Sequence, residues 1–297
     1  MSESPKGGGK LCYYDYGHTT FYAARADQRF SYCLYVPSDY DEAGTKEYAL
    51  AVMVHGTGRS AGAFRDRFAD FGEANDCIVL APLFPAGIIE PGELNNYKLL
   101  EFHDIRFDLL LLSMIDEIAA KYRVDASRFL LHGFSGGGHF THRFYYVHPE
   151  RLLGISIGAP GVVTLLDQTR DWWVGVRDIA ARFGKPLNLA AMREVAVQMV
   201  IGDQDTETWE ITISPEDAWW MADANMAGVT RIDRMRSLKA SYERHGIEAR
   251  MDMVPGVAHE PQKVIGPVKE FFADVLRRHR ASRDKAGAAT GRRAAAG

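Results

Sequence analysis

The sequence is poor in cysteine and has no long run of apolar residues. Its 297 residues include three cysteines, Cys12, Cys33 and Cys77, without Cys-x-x-Cys spacing, so neither a disulfide framework nor a zinc site is expected. The N-terminus lacks the apolar segment of a secretory signal, and no stretch approaches the roughly 18 apolar residues of a membrane span. These absences predict a cytoplasmic protein without a membrane-spanning segment.

An excess of basic charge is also missing. The formal net charge is -4, so no positive field that would attract a nucleic acid is expected. With 46% hydrophobic and 25% charged residues, the chain can bury a large core. Residues 1–10 and 281–297 are rich in glycine, alanine and charge, which predicts a flexible N-terminus and a disordered C-terminal tail around one domain, residues 11–280.

Short apolar runs alternate with helical patterns along this domain. The runs lie at residues 30–37, 48–54, 77–81, 129–132, 153–157, 195–201 and 249–254. Helical patterns lie at 106–122, with Leu109, Leu112, Ile115 and Ala119 recurring at helical spacing, and at 231–245 and 265–279. This alternation predicts an α/β fold, a doubly wound and mostly parallel sheet flanked by helices. In such sheets, functional residues lie at the carboxyl ends of the strands.

One strand end carries a candidate nucleophile. Residues 133–137 read Gly-Phe-Ser-Gly-Gly, directly after an apolar run and directly before a stretch with helical character. That context predicts a nucleophile elbow, in which a sharp strand-to-helix turn exposes the serine beside the N–H groups of a helix N-terminus. Ser135 is therefore the candidate nucleophile. The alternative interpretation is a glycine-rich turn without chemistry.

Other strand ends carry the partners that an activated serine needs. Asp203 and Asp205 follow the run that ends at residue 201, and His259 follows the last predicted strand. Imidazole can take a serine proton near neutral pH, and a carboxylate can orient the imidazole. The chain order Ser, Asp, His is typical of α/β-hydrolases and differs from that of chymotrypsin-like and subtilisin-like proteases.

With these motifs, the chain resembles the α/β-hydrolase superfamily over residues 25–279, and within it a serine esterase of the dienelactone-hydrolase or polyhydroxybutyrate-depolymerase-like type. The resemblance favours Asp205 over Asp203 as the acid. The backbone N–H groups of Gly136 and of Thr57, in His55-Gly56-Thr57-Gly58, are the expected oxyanion hole. Neither a metal nor an organic cofactor is expected.

Residues 161–194 lie between two predicted strands and are the expected cap over the site. They contain Trp172 and Trp173, which, with Phe134, are candidates for lining the substrate pocket, although both tryptophans could equally pack the cap onto the body. His139 and His142 lie three residues apart, but no carboxylate or cysteine at convincing spacing accompanies them, so no metal site is expected.

The sequence thus predicts hydrolysis of a small-molecule carboxylic ester through an acyl-Ser135 intermediate. A thioesterase, peptidase or acyltransferase could use the same residues. A non-catalytic ligand-binding member of the fold, or a cap that mainly mediates self-association, are further alternatives. The sequence makes no prediction of the oligomeric state.

Overall fold

The computed structural model describes residues 10–294, with side chains up to residue 285. The expected flexible segment, residues 1–10, thus lies outside the described residues except for Lys10, which is exposed. The chain divides into two compact units, one up to Phe144 and one from Tyr145 onward. Among the described residues, no helix has both the length and the apolar character to cross a membrane.

Among the described residues, the first unit holds eight strands and four helices, of which the last begins in it and continues beyond Phe144. Its strands are β1 (Gly17–His18), β2 (Tyr22–Ala23), β3 (Ser31–Val36), β4 (Ala49–Val54), β5 (Cys77–Leu83), β6 (Glu101–Phe102), β7 (Ile105–Arg106) and β8 (Phe129–Phe134). Its helices are α1 (Ala61–Arg67), α2 (Ala69–Ala74), α3 (Phe107–Lys121) and α4 (Gly136–Val147). Within this unit, the strands pair in the order β1-β3-β5-β4-β8, with β2 also on β3 and β6 paired with β7.

The central strands of the first unit are parallel and buried. β4 pairs parallel with β5 and with β8, and the register sets Val54 beside Gly133. β1 and β2 each pair antiparallel with β3, and β3 pairs antiparallel with β5. Every residue of β8 is buried, as expected for a strand covered on both faces. The parallel register places the ends of β4 and β8, and the loops that follow them, at the same edge.

Helix α3 agrees with the helix predicted at 106–122, but the residues at helical spacing do not all lie on its buried face. Leu109 is 50% exposed, and Ala119 is also exposed. The buried side chains instead include Phe107, Leu111 and Met114. Leucine occupies four consecutive positions, 109–112, so apolar spacing alone does not choose which of them faces the core.

The second unit has three strands in parallel register. They are β9 (Leu152–Gly158), β10 (Ala196–Gly202) and β11 (Ala249–Val254), and β10 pairs with both of the others. The helices are α5 (Ile179–Phe183), α6 (Leu189–Arg193), α7 (Arg231–Arg244) and α8 (Ile265–Ala294). Parallel strands that alternate with helices confirm the predicted α/β class, with a mostly parallel sheet flanked by helices.

The last helix is longer than the sequence predicts. The prediction of a disordered tail from residue 281 is wrong for 281–294, since α8 continues to Ala294. Alanine, arginine and lysine dominate this segment and are strong helix formers, so the helix can extend although no large apolar side chain is present. Residues 295–297 lie outside the described residues.

Candidate active site

Ser135 occupies a sharp turn between β8 and α4. Its φ angle of 56° lies in the left-handed region, which is unusual for a residue with a side chain and is often found at functional sites. The N–H of His139 donates to the Ser135 carbonyl at 3.1 Å, so the helix begins at once. The structure therefore has the strand, strained residue and helix N-terminus that the elbow motif predicts.

Two glycines of the elbow are required by close backbone approach. A Cβ on Gly133 would lie 2.3 Å from the carbonyl carbon and oxygen of Gly137. A Cβ on Gly137 would lie 2.3 Å from the carbonyl oxygen of Val54 at the end of β4. Because both contacts are with backbone, no side-chain movement can relieve them, and the glycines let α4 lie directly against the strand ends.

The loop after β4 lies against the elbow. A Cβ on Gly136 would lie 3.0 Å from the backbone nitrogen of Thr57, and a Cβ on Gly56 would lie 3.8 Å from the Ser135 Cβ. The two expected oxyanion-hole residues, Thr57 and Gly136, are thus adjacent to each other and to Ser135. Such an arrangement can present two backbone N–H groups to one oxygen.

His55 supports this loop as a neutral side chain. It is fully buried; its Nδ1 lies 2.8 Å from the Gly56 carbonyl oxygen, and its Nε2 accepts from the Phe84 N–H at 3.0 Å. These partners require the tautomer in which Nδ1 carries the proton and donates to Gly56. Burial lowers the pKa of His55 to about 4, so this histidine holds the loop and is not a base.

Arg59 fixes the same loop from the other side. Its guanidinium donates to the carbonyl oxygens of Thr57 at 2.6 Å and Leu94 at 2.7 Å, and it lies 5.3 Å from the centre of the Tyr97 ring. Because the Thr57 carbonyl is held in this way, the following backbone is constrained. The geometry of the predicted oxyanion hole is therefore built by side chains that the elbow motif does not contain.

Tyr97 and Lys98 also lie beside Gly136, and sequence reasoning missed both. A Cβ on Gly136 would lie 2.5 Å from Tyr97 Oη and 3.0 Å from Lys98 Cε. Tyr97 donates to the His55 carbonyl at 2.9 Å, and Lys98 Nζ donates to Asn95 Oδ1 at 2.7 Å. Lys98 is 8% exposed, so an ammonium group lies near the elbow in a largely dry environment. Neither residue belongs to a motif or follows a main strand, and no sequence signal would have singled them out.

In the second unit, the predicted acid and base are in contact. His259 Nδ1 lies 2.6 Å from Asp205 Oδ2, and the Asp205 side chain is 0% exposed, whereas that of His259 is 25% exposed. A carboxylate only accepts hydrogen bonds, so Nδ1 carries the proton and donates it, which leaves Nε2 as the basic nitrogen. This is the tautomer that a general base for a serine requires.

Asp203 contacts the loop that carries the histidine and not the histidine itself. Its Oδ1 accepts from the Gly256 N–H at 2.8 Å, and the neighbouring Gln204 N–H donates to the Val257 carbonyl at 2.9 Å. A Cβ on Gly202 would lie 2.0 Å from that same carbonyl oxygen. The loops after β10 and β11 are thus bound together, which sets the position of His259 relative to Asp205.

A buried arginine completes this cluster. Arg231, the first residue of α7, donates to Asp205 Oδ1 at 3.1 Å and to Glu210 Oε2 at 2.8 Å. Its side chain is 2% exposed. No sequence signal marks Arg231, since an arginine at a helix start ordinarily lies in solvent. Its charge is compensated by the Asp205 and Glu210 carboxylates.

The segment predicted as a cap connects β9 to β10 and contains α5 and α6. Trp172 and Trp173 are both buried. The Trp172 ring packs edge-on against Phe183 at 4.9 Å, and Trp173 Nε1 donates to the Trp219 carbonyl at 3.0 Å. The first contact lies within the segment and the second joins it to the stretch between β10 and α7, and a role in lining a substrate pocket stays a prediction. Phe134 is buried at the end of β8.

The two histidines of α4 are buried. His142 Nδ1 lies 2.8 Å from the Gly138 carbonyl oxygen, and burial, with Arg143 nearby, lowers the pKa of His142 well below its usual value. Within the described part of the chain, no group of three histidine, cysteine, aspartate or glutamate side chains is arranged to hold a metal ion.

Comparison with known proteins gives structural relatives only. No family model matches the sequence, and no curated protein matches it. The structure is similar to that of poly(aspartic acid) hydrolase-1 from Sphingomonas sp. KT-1, with a TM-score of 0.69 at 19% identity, over 86% of this chain and 98% of that one. It is similar to the poly(3-hydroxybutyrate) depolymerase LpqC from Bordetella parapertussis, with a TM-score of 0.60 at 22% identity, over 78% and 80%.

An S-formylglutathione hydrolase from Agrobacterium tumefaciens is a further relative, with a TM-score of 0.52 at 16% identity, over 89% of this chain and 95% of that one. At such identities the likeness concerns the fold alone. The parallel strands, the elbow after β8 and the loops after β10 and β11 agree with it: the chain has the α/β-hydrolase fold.

Proposed function

We propose that this protein is a serine hydrolase that cleaves small carboxylic esters, with Ser135 as nucleophile, His259 as general base and Asp205 as the acid that orients it. The observation that carries the proposal is the left-handed backbone of Ser135 at the end of a buried strand, beside the Thr57 and Gly136 backbone. A strained residue of this kind persists only where the surrounding structure imposes it. The hydrogen-bonded Asp205 and His259 provide the second support.

The reaction would proceed in two halves. Ser135 Oγ attacks the ester carbonyl carbon while its proton passes to His259 Nε2, and the carbonyl oxygen becomes an oxyanion on the N–H groups of Thr57 and Gly136. When this intermediate collapses, the alcohol leaves with the proton from His259, and the acyl group remains on Ser135. His259 then takes a proton from a water molecule, which attacks the acyl group. The acid is released, and His259 returns the proton to Ser135.

The direct test uses p-nitrophenyl esters from acetate to decanoate and a fluorophosphonate probe. Wild type should hydrolyse at least the short esters, and mass spectrometry should place the fluorophosphonate adduct on Ser135. Ser135→Ala should lose both ester hydrolysis and labelling by the probe. Ser127→Ala, a change at an exposed serine that is hydrogen-bonded to Asp125, should retain both. An inert wild type that also resists the probe would favour a ligand-binding role over catalysis.

A second candidate is hydrolysis of an amide in a substrate that carries carboxylates. Lys98 favours it, because a largely buried ammonium group beside Gly136 would attract a negative charge near the scissile carbonyl more strongly than an exposed lysine would. One structural relative is named a poly(aspartic acid) hydrolase. Release of primary amines from a synthetic aspartate polymer, compared between wild type and Ser135→Ala, tests this candidate.

A further inference from the structure

Arg231, a side chain outside the expected triad, contacts the carboxylate of Asp205. The two carboxylate oxygens of Asp205 have separate partners: Oδ2 faces His259 Nδ1 at 2.6 Å and Oδ1 accepts from Arg231 at 3.1 Å. Because each oxygen is engaged, rotation of the carboxylate would break one of the two bonds. The Arg231 contact therefore directs Oδ2 at the histidine.

Burial makes this contact electrostatically important. The side chains of Asp205 and Arg231 are 0% and 2% exposed. A carboxylate removed from water is costly to ionise unless a cation or several donors replace the lost solvent. A neutral imidazole offers one N–H, so it does not offset the charge of Asp205 by itself. Arg231 supplies the full positive charge that does.

The first turn of α7 is fixed so that Arg231 cannot swing away. Thr230 caps the helix, with its hydroxyl accepting from the Asp233 N–H and the Asp233 carboxylate accepting from the Thr230 N–H. One turn along, Arg234 donates to the carbonyl oxygens of Gly161 at 2.5 Å and Ile211 at 2.8 Å. The helix start is thereby anchored to the segments around the acid loop.

Glu210 balances the remaining charge of Arg231. Its Oε2 lies 2.8 Å from the guanidinium, and its side chain is 49% exposed. A chain of contacts therefore leads from a partly exposed carboxylate, through a buried guanidinium, to the buried carboxylate that orients the base. The charged and titratable groups around this chain of contacts are Asp203, Asp205, Glu210, Asp233, Arg234 and His259.

We propose that Arg231 is a positioning residue for catalysis: its guanidinium offsets the buried charge of Asp205 and keeps the carboxylate turned toward His259, and Glu210 tunes its effect. This proposal rests on the proposed function, since it concerns how the base is held. Arg231 acts through Asp205 and does not touch the reacting atoms.

Each charge change should move the pH dependence in a defined direction. Loss of the Arg231 cation favours the protonated imidazolium of His259, so a higher pH is needed to free the base. Loss of the Glu210 anion leaves Arg231 less compensated and favours the neutral imidazole. In the profile of kcat/KM against pH, the acid limb is the part where activity rises as the base loses its proton. This limb should move to higher pH in Arg231→Met and to lower pH in Glu210→Gln. Arg231→Lys keeps the charge and should leave the limb near that of wild type.

The experiment measures kcat/KM for a p-nitrophenyl ester against pH in these three variants and in two others on α7. Arg231→Met should lose activity by about 10- to 100-fold, by analogy with the loss of outer groups that orient metal ligands, and Arg231→Lys should recover part of it. Arg234→Met, which removes a buried arginine without a hydrogen bond to Asp205, should lower stability and move the limb less than Arg231→Met does. Arg236→Met, a change at an exposed site, should match wild type.

Wild-type activity and Ser135 labelling are established first, so failure of the proposed function is seen separately. With an active wild type, the inference is overturned if Arg231→Met keeps the wild-type limb, or if Arg231→Lys is no better than Arg231→Met. Should Arg231→Met fail to fold, Glu210→Gln and Arg231→Lys decide: an unmoved limb in Glu210→Gln contradicts the proposal, and a downward shift supports it.

Discussion

Asp205 accepts a hydrogen bond from Nδ1 of His259 at 2.6 Å, although 54 residues separate the two in the chain. The contact exists because two neighbouring parallel strands, β10 and β11, end at the same edge and because their loops are bound together through Asp203 and Gly256. Asp203, two residues away, lies outside this contact and has a different partner.

Asp205→Asn should reduce kcat far more than Asp203→Asn. An amide at position 205 offers an N–H to Nδ1, which favours the tautomer with the proton on Nε2, and a loss of up to about 10⁴-fold is expected by analogy with the corresponding change in chymotrypsin-like proteases. Steady-state kinetics of both variants on the same ester measure this. The reverse ranking would transfer the acid role to Asp203.

Gly136→Ala should reduce kcat by about 10²- to 10³-fold, the effect of losing one oxyanion donor. The added Cβ would lie 2.5 Å from Tyr97 Oη and 3.0 Å from the Thr57 nitrogen, so it must displace the groups that form the hole. Gly58→Ala is the matched control in the same loop, since a Cβ there meets nothing within 4 Å. Equal activity of the two variants would contradict the assigned oxyanion hole.

Lys98→Met should weaken selectivity for negatively charged acyl groups. The comparison is between p-nitrophenyl butyrate and a p-nitrophenyl succinate monoester, which differ by one carboxylate at similar length. If Lys98 binds that carboxylate, kcat/KM for the succinate should fall by about 10-fold or more relative to the butyrate, as for a charge-assisted hydrogen bond. An unchanged ratio would remove the second candidate function.

The stability of the protein should fall when the pH is lowered, in part through His55. Its folded pKa of about 4 lies below the ordinary value of about 6.5, so the unfolded chain binds its proton first and the loss develops between these two values. At about pH 5, this group alone should cost about 2 kcal/mol of unfolding free energy relative to neutral pH.

Urea denaturation at about pH 7 and about pH 5 measures this loss, and a His55→Gln variant should show a smaller difference between the two conditions. His142, with its pKa lowered by burial, contributes in the same direction. An equal pH dependence in wild type and His55→Gln would contradict the assigned neutral tautomer of His55.

Much of the architecture could be predicted from the sequence because its signals are local. Most of the continuous apolar runs became buried strands, for example Ala49–Val54 and Phe129–Phe134, since strands covered on both faces are mostly apolar. The elbow was also readable, because tight turns demand glycine at fixed positions around Ser135. The buried face of α3 and the extent of α8 could not be predicted, because uniform runs of leucine or of alanine and charge carry no directional signal.

The sequence by itself determined the class of fold, the nucleophile candidate and the order in which acid and base follow it, because each rests on local patterns or on the order of those patterns along the chain. Only the tertiary structure decided which aspartate meets His259, that His55 is a buried neutral support, and that Tyr97, Lys98 and Arg231 lie beside the candidate groups. These facts depend on contacts between residues distant in the chain. Burial then determines which of the charges are kept and which are lost, and burial is a property of the folded molecule.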